Sequence, residues 1–159
     1  KLLKSNKSSP TQILIGTHHK VLTVYFIRVF RVFAMATGRT ISVGMGEDND
    51  LSCDIVIDHH SRFPDTTITS GARGIHVTRD PRDLLISCVY YHQKSHEPWL
   101  HVPRNEFGGL TYQQYLRSLK TFEQQLLFEL EHSAASNIND MIEWCEKEHR
   151  NFYEIKYEE

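Results

Sequence analysis

The chain has 159 residues, 40% of them hydrophobic and 24% charged, a balance that sustains one buried core and excludes a disordered polyelectrolyte. A formal net charge of -2 offers no general positive field to a nucleic acid backbone, so no nucleic acid partner is expected and any anionic ligand must be held locally. No run reaches the ~18 to 20 apolar residues of a membrane span, since the longest, Val21 to Ala36, is interrupted by Arg28 and Arg31.

Lys1 to Pro10 reads as a polar, basic tail. Ile13, Leu14 and Ile15 form a buried strand ended by Gly16 and Thr17. Val21 to Met35 is apolar around a whole helix, closed by Gly38. After an acidic, Gly-rich stretch at Gly44 to Asp50, Cys53 to Ile57 is a second strand with Asp58, His59 and His60 at its mouth. Ser61 to Ala72 is a loop or short helix, and Gly74 to Thr78 a third strand. Pro81 then opens a helix to about Gln93, because the first helical turn needs no N–H from it; Leu84, Leu85, Cys88 and Tyr91 have core-facing spacing. Lys94 to Gly109, rich in His, Pro, Asn and Gly, predicts a long, mobile surface loop.

Thr111 to Glu131 predicts one amphipathic helix whose stripe of Leu116, Leu119, Phe122, Leu126, Leu127 and Leu130 faces the core. Asn137 to Glu148 predicts another, and Phe152 to Tyr157 a closing strand. Strands alternating with helices imply a single α/β domain over residues 1–159, a three-layer sandwich with a mostly parallel sheet. Cys53, Cys88 and Cys145 form no CxxC pair and cannot all pair internally, which argues against a disulfide framework and for a reducing, cytoplasmic setting.

In an open α/β sheet, ligands collect beyond the carboxyl ends of the strands, where helix N-termini present unpaired N–H groups to anions. The turn from Gly16 to Thr23 occupies such a place. Lys20 supplies charge, the amides of Val21, Leu22, Thr23 and Val24 can cradle a phosphate, and the Thr23 hydroxyl can add a hydrogen bond. Walker A chemistry is disfavoured, because Lys20 is followed by Val21 and Leu22 instead of Ser or Thr.

A second candidate lies at the next strand end. Arg79 stands at its mouth and Ser87, eight positions on, lies within the following helix, so a guanidinium and a hydroxyl can share one phosphate. The competing reading pairs Arg79 with Asp80 or Asp83 and makes Ser87 a packing residue. The run Ile75-His76-Val77-Thr78-Arg79-Asp80-Pro81-Arg82-Asp83-Leu84-Leu85-Ile86-Ser87, with Tyr90-Tyr91-His92 after it, resembles the 3'-phosphate motif of the sulfotransferase family. Thr17-His18-His19-Lys20 resembles the 5'-phosphosulfate loop of one branch, and Met141 to Trp144 and Tyr153 to Glu158 resemble later elements.

The resemblance implies a P-loop NTPase-like sulfotransferase fold and a cofactor, 3'-phosphoadenosine 5'-phosphosulfate (PAPS), that leaves as adenosine 3',5'-bisphosphate (PAP). It implies Lys20, Val21, Leu22, Thr23 and Val24 on the 5'-phosphosulfate and Arg79 and Ser87 on the 3'-phosphate. The family usually has glycine where Leu22 stands and often threonine where Val24 stands. It also closes the site with a C-terminal Gly-rich segment that does not appear before Glu159, so the domain reads as C-terminally incomplete. These departures motivate the alternative of a degenerate, non-catalytic nucleotide-binding domain.

Sulfuryl transfer to a hydroxyl or amine needs a base, and histidine, with an unperturbed pKa of ~6.5, suits it. His60 is the candidate base, because His60-Ser61 resembles the family pattern, and His59 is its rival; Lys20 would stabilise charge on the leaving oxygen. His18-His19 and His59-His60 have neither HExxH nor Cys/His spacing, so no metal is expected. Arg104, Trp99, His101 and Phe107 lie where an acceptor could dock. The acceptor class stays open among carbohydrate, lipid, alcohol and protein, as does the oligomeric state.

Overall fold

The computed structural model describes residues 11–69, 71–147 and 149–159. Five parallel strands, β1 (Ile13–Gly16), β2 (Ile41–Gly44), β3 (Ile55–Asp58), β4 (Arg73–Thr78) and β5 (Phe152–Lys156), form one sheet in the order β2-β3-β1-β4-β5. Six α-helices connect them: α1 (Thr23–Thr37), α2 (Asp65–Thr69), α3 (Pro81–His92), α4 (Tyr112–Ser118), α5 (Phe122–Glu131) and α6 (Ser133–Cys145). The expected tail at Lys1 to Pro10 lies outside the described residues.

Parallel register decides which residues share a layer. Ile13 pairs with Ile55 and Ile15 with Ile57, so these side chains leave one face of the sheet together. They meet Phe26 and Ala34 of α1, Leu84 and Cys88 of α3, and Ala134 and Met141 of α6. Leu14 and Val56 leave the other face and meet Phe63, Ala72 and Trp144, with Ile68 of α2 at the margin. The three-layer α/β expectation therefore holds, with a thinner second helical layer.

The chain winds outward in two directions. From β1 it passes through α1 to the β2 edge, and from β4 it passes through α3 to α6 to the β5 edge. The strands from which it departs oppositely, β1 and β4, are neighbours, so a crevice opens at their carboxyl ends. Both candidate phosphate segments follow those two strands.

Several local expectations change. β2 was not anticipated; its four residues are all half-buried, and Gly38, which ends α1 in the left-handed region (φ 67°), marks the turn into it. The predicted helix over Thr111 to Glu131 is two. Leu119 is extended (φ -69°, ψ 131°), and Thr111 and Thr121 each form a capping box, with Gln114 and Gln124 respectively. That break resets the helical register. Leu116 is buried but Phe122, Leu127 and Leu130 are exposed, and Phe128 and Glu129 face inward instead.

The stretch Lys94 to Gly109 is no loose loop. Short 3-10 turns at Pro98–His101 and Asn105–Phe107 bury Leu100 and Phe107 against Tyr112, Leu116 and Phe128, a small core of their own. The last helix starts at Ser133, not Asn137. Cys53, Cys88 and Cys145 are all free thiols, and no helix among the described residues is long and apolar enough to cross a membrane.

At Gly74 the sheet allows no side chain, because a Cβ there would collide with the Phe152 ring beneath the β4–β5 pairing. Gly74→Ala is expected to destabilise the fold by about 1–3 kcal/mol, as overpacking does. Urea denaturation should show a lower midpoint at unchanged slope.

Candidate functional site

β1 ends at Gly16, where the chain packs too tightly for a Cβ: one would lie 2.7 Å from Ser61 Oγ and 3.2 Å from the His76 ring. The following turn is held by the Val21 amide, which donates to the His18 carbonyl (2.9 Å). Lys20 (φ 64°) and Leu22 (φ 55°) both occupy the left-handed region. Leu22, the residue before α1, gives that helix no side-chain cap. The first N–H groups of α1 are therefore open to an anion.

Beside this turn stands Arg79, at the end of β4. Its Nη1 donates to the Lys20 carbonyl (3.0 Å), and its guanidinium lies over the Tyr157 ring, 4.2 Å from the centroid. Its Nε is buried without a partner. The competing reading of Arg79 is not met. Asp80 caps α3 and pairs with Arg82, and Arg79 has no carboxylate partner among the described residues. Ser87, nearly two turns into α3, has no side-chain hydrogen-bond partner among the described residues either.

A cavity of about 700 Å³ is lined by Lys20, Val21, Leu22, Thr23, Val24, His59, His60, Arg79 and Ser87, so the candidate cofactor-binding residues and both candidate bases reach one space. Three roles need adjustment. The Val21 amide is spent on the turn. The Thr23 hydroxyl donates back to the His18 carbonyl (2.9 Å) and lies 3.0 Å from the Thr17 hydroxyl, so its proton is engaged locally. The Lys20 ammonium rests 3.8 Å from the centre of the Tyr91 ring, and burial lowers its pKa from the ordinary lysine value.

His60 and His59 differ sharply. His60 Nδ1 donates to Asp140 Oδ2 (2.8 Å), which leaves Nε2 as the acceptor, with no partner among the described residues. Arg62 holds the same carboxylate with Nη2 at 2.9 and 3.1 Å. Buried Asp58 fixes the loop by accepting from the amides of His60 (2.9 Å), Arg62 (3.0 Å) and Gly46 (2.6 Å). By contrast His59 Nε2 is buried without a partner, and burial lowers its pKa. His60 is the better-oriented base.

Sequence reasoning missed what lies under the loop. His18 Nε2 donates to His76 Nε2 (2.9 Å), and His76 Nδ1 donates to Glu154 Oε2 (2.6 Å), whose other oxygen accepts from Trp144 Nε1 (2.8 Å). A parallel chain runs from His19 Nε2 to His92 Nε2 (3.1 Å) and from His92 Nδ1 to Glu129 Oε1 (2.7 Å). Burial, reinforced by the facing His76, pushes His18 down to about 2; burial and His92 push His19 down to about 4. Both stay neutral near pH 7.

One face of α6 reaches the loops after β1 and β3 and the middle of β5. Asn137 Oδ1 accepts from the His19 amide (3.3 Å), Asp140 holds His60, and Trp144 holds Glu154. The spacing of three and then four residues along a helix is legible, but nothing local announces its partners. Among the suggested acceptor residues, Trp99 and Arg104 line a smaller cavity of about 370 Å³ that also touches His19 and His60. Phe107 is packed into the domain and His101 lies exposed, with its Nε2 3.2 Å from the Ser95 carbonyl.

Two expectations follow. The folded His18 resists protonation far below the ordinary histidine value, so the unfolded chain binds more protons as the pH falls below about 6.5. Stability from this group is complete above that pH and is lost below it, by up to about 1.4 kcal/mol per pH unit. Thermal melts between about pH 8 and 5 should fall on acidification, and less steeply in His18→Gln. Separately, a left-handed leucine costs about 1–2 kcal/mol, only partly offset by the entropy a glycine would lose. Leu22 also packs against the main core, so Leu22→Gly should cost clearly less than the ~2–5 kcal/mol of an ordinary core leucine truncation, because relief of the left-handed strain offsets part of the lost packing, as chemical denaturation would measure.

Comparison with protein-family models, curated proteins and solved structures finds no match to the chain.

Proposed function

We propose that the chain is a sulfotransferase domain of P-loop NTPase-like fold that binds PAPS across the β1–β4 crevice and transfers its sulfuryl group to an acceptor hydroxyl or amine. The observation that carries this reading is the convergence of Lys20, Arg79, Ser87 and His60 on a single cavity beside an uncapped helix start. The residues suit a doubly phosphorylated ligand. The buried, unpartnered Arg79 Nε and the free Ser87 hydroxyl stand at one junction, and the open amides of α1 with Lys20 stand at the other.

Within this reading Lys20 leaves the Tyr91 face and places its ammonium against the bridging phosphate oxygen, where negative charge grows as the sulfuryl group departs. Arg79 and Ser87 hold the 3'-phosphate and so fix the register of the nucleotide. His60 accepts the acceptor's proton at Nε2, and Asp140, bonded to Nδ1, keeps the ring in the required tautomer and balances the imidazolium. The bound nucleotide contributes the activated sulfuryl group; the chain contributes position and charge.

The degenerate alternative has a specific basis too, in the strained Leu22 and the engaged Thr23 hydroxyl. Calorimetry with PAP separates the possibilities. Binding is expected without magnesium, and Lys20→Ala or Arg79→Ala should each weaken it by roughly 1.5–3 kcal/mol, about 10- to 100-fold. His60→Asn should leave PAP affinity unchanged while slowing release of PAP from PAPS, in the presence of an acceptor panel of carbohydrate, lipid, alcohol and tyrosine peptide, by about 100-fold or more. PAP binding with no turnover favours the degenerate domain; no PAP binding, or magnesium-dependent ATP binding, rejects the proposal.

A further inference from the structure

We propose that Cys88, His92 and Glu129 form a buried binding site for a divalent cation of the zinc class, clamping α3 to α5. The three side chains are completely buried, and a ligating atom from each lies within 4.8 Å of the others. Cys88 and His92 are four residues apart on α3 and so project from one face of that helix. Glu129 reaches them from α5, turned inward by the register reset at Leu119.

A second observation points to a ligand. Glu129 Oε1 accepts from His92 Nδ1 (2.7 Å), but its other oxygen, Oε2, is buried without any hydrogen-bond partner. The Tyr112 hydroxyl, buried beside it, lies close enough to feel the Glu129 carboxylate but forms no hydrogen bond of normal geometry with it, so Oε2 keeps no well-placed donor. A desolvated carboxylate with an idle oxygen costs several kcal/mol unless a cation compensates it. The donor set is one sulfur, one imidazole nitrogen and one carboxylate oxygen, which suits zinc and its neighbours and not the all-oxygen shells of magnesium or calcium.

Charge and proton balance are consistent with such a site. Binding releases the Cys88 thiol proton to solvent, and thiolate plus carboxylate then neutralise a doubly charged cation in a place where net charge is costly. The proton of His92 moves from Nδ1 to Nε2, which then donates to His19 Nε2, 3.1 Å away, and His19 in turn carries its own proton on Nδ1 so that its Nε2 accepts. Histidines that ligate metals are usually oriented by such a partner on the other ring nitrogen. Glu129 offers its idle Oε2 to the ion, and His92 Nδ1, freed of its proton, parts from Oε1, now 2.7 Å away, as it turns to the metal at a bond length of about 2.0–2.1 Å. This site does not depend on the proposed sulfuryl transfer.

The test uses the full chain, stripped with chelator and titrated with zinc or cobalt. One zinc per chain should survive desalting, as measured by elemental mass spectrometry. Cobalt should give a thiolate-to-metal absorption band in the Cys53→Ser/Cys145→Ser double variant, in which Cys88 is the remaining thiol. Glu129→Gln should weaken zinc binding at least about 100-fold, beyond the usual loss of an outer partner, whereas His96→Gln/His101→Gln should leave it unchanged. A folded double variant without the thiolate band, or zinc retention undiminished by Glu129→Gln, would overturn the proposal. The double variant leaves the site intact, so the test stands even if substitutions within the site prevent folding.

Discussion

The position of β1 governs the molecule. It is hydrogen-bonded on both edges, to β3 and to β4, and its carboxyl end therefore lies at the centre of the sheet. Ser61 and His76 pack so closely over Gly16 that no side chain fits there, and the left-handed residues Lys20 and Leu22 make the turn that follows. The same centrality brings Arg79, at the end of β4, within hydrogen-bond reach of the Lys20 carbonyl. Two strand-to-helix junctions become neighbours because two strands are.

Beneath this turn the interior is unusually polar. His18, His76 and His92 are fully buried, and each finds its partners in a chain that ends on a carboxylate. Buried imidazoles in a network of this kind are tolerable only if nearly every ring nitrogen is satisfied, so the network constrains the loop above it to one arrangement. α6 completes that constraint from the side, with Asn137 and Asp140 reaching the loops after β1 and β3 and Trp144 reaching Glu154 within β5. A helix read from sequence as a plain packing element is thus the brace of the candidate site.

The misread segments share a cause. The stripe from Leu116 to Leu130 looks continuous because apolar periodicity carries across a break as short as Leu119 to Thr121, while the two capping boxes that divide it are polar, local signals of comparable size. The stretch Lys94 to Gly109 has the composition of a loop, yet Leu100 and Phe107 fill a pocket made by residues up to Phe128. Composition does not report partners that distant. β2 is short and half-buried, and so carries little alternation to detect.

The sequence by itself determined the alternation of strands and helices, hence the parallel α/β class, and the residue types at two strand mouths, Lys20 with its turn and Arg79 with Ser87. Local pattern suffices for these, because strand period, helix period and turn chemistry act over a few residues. Only the tertiary structure decided that the two mouths are adjacent, that His60 is oriented by Asp140 while His59 is not, and that Cys88, His92 and Glu129 converge. Strand order and helix register bring those residues together from up to 80 positions apart, and no short stretch of chain encodes such a distance.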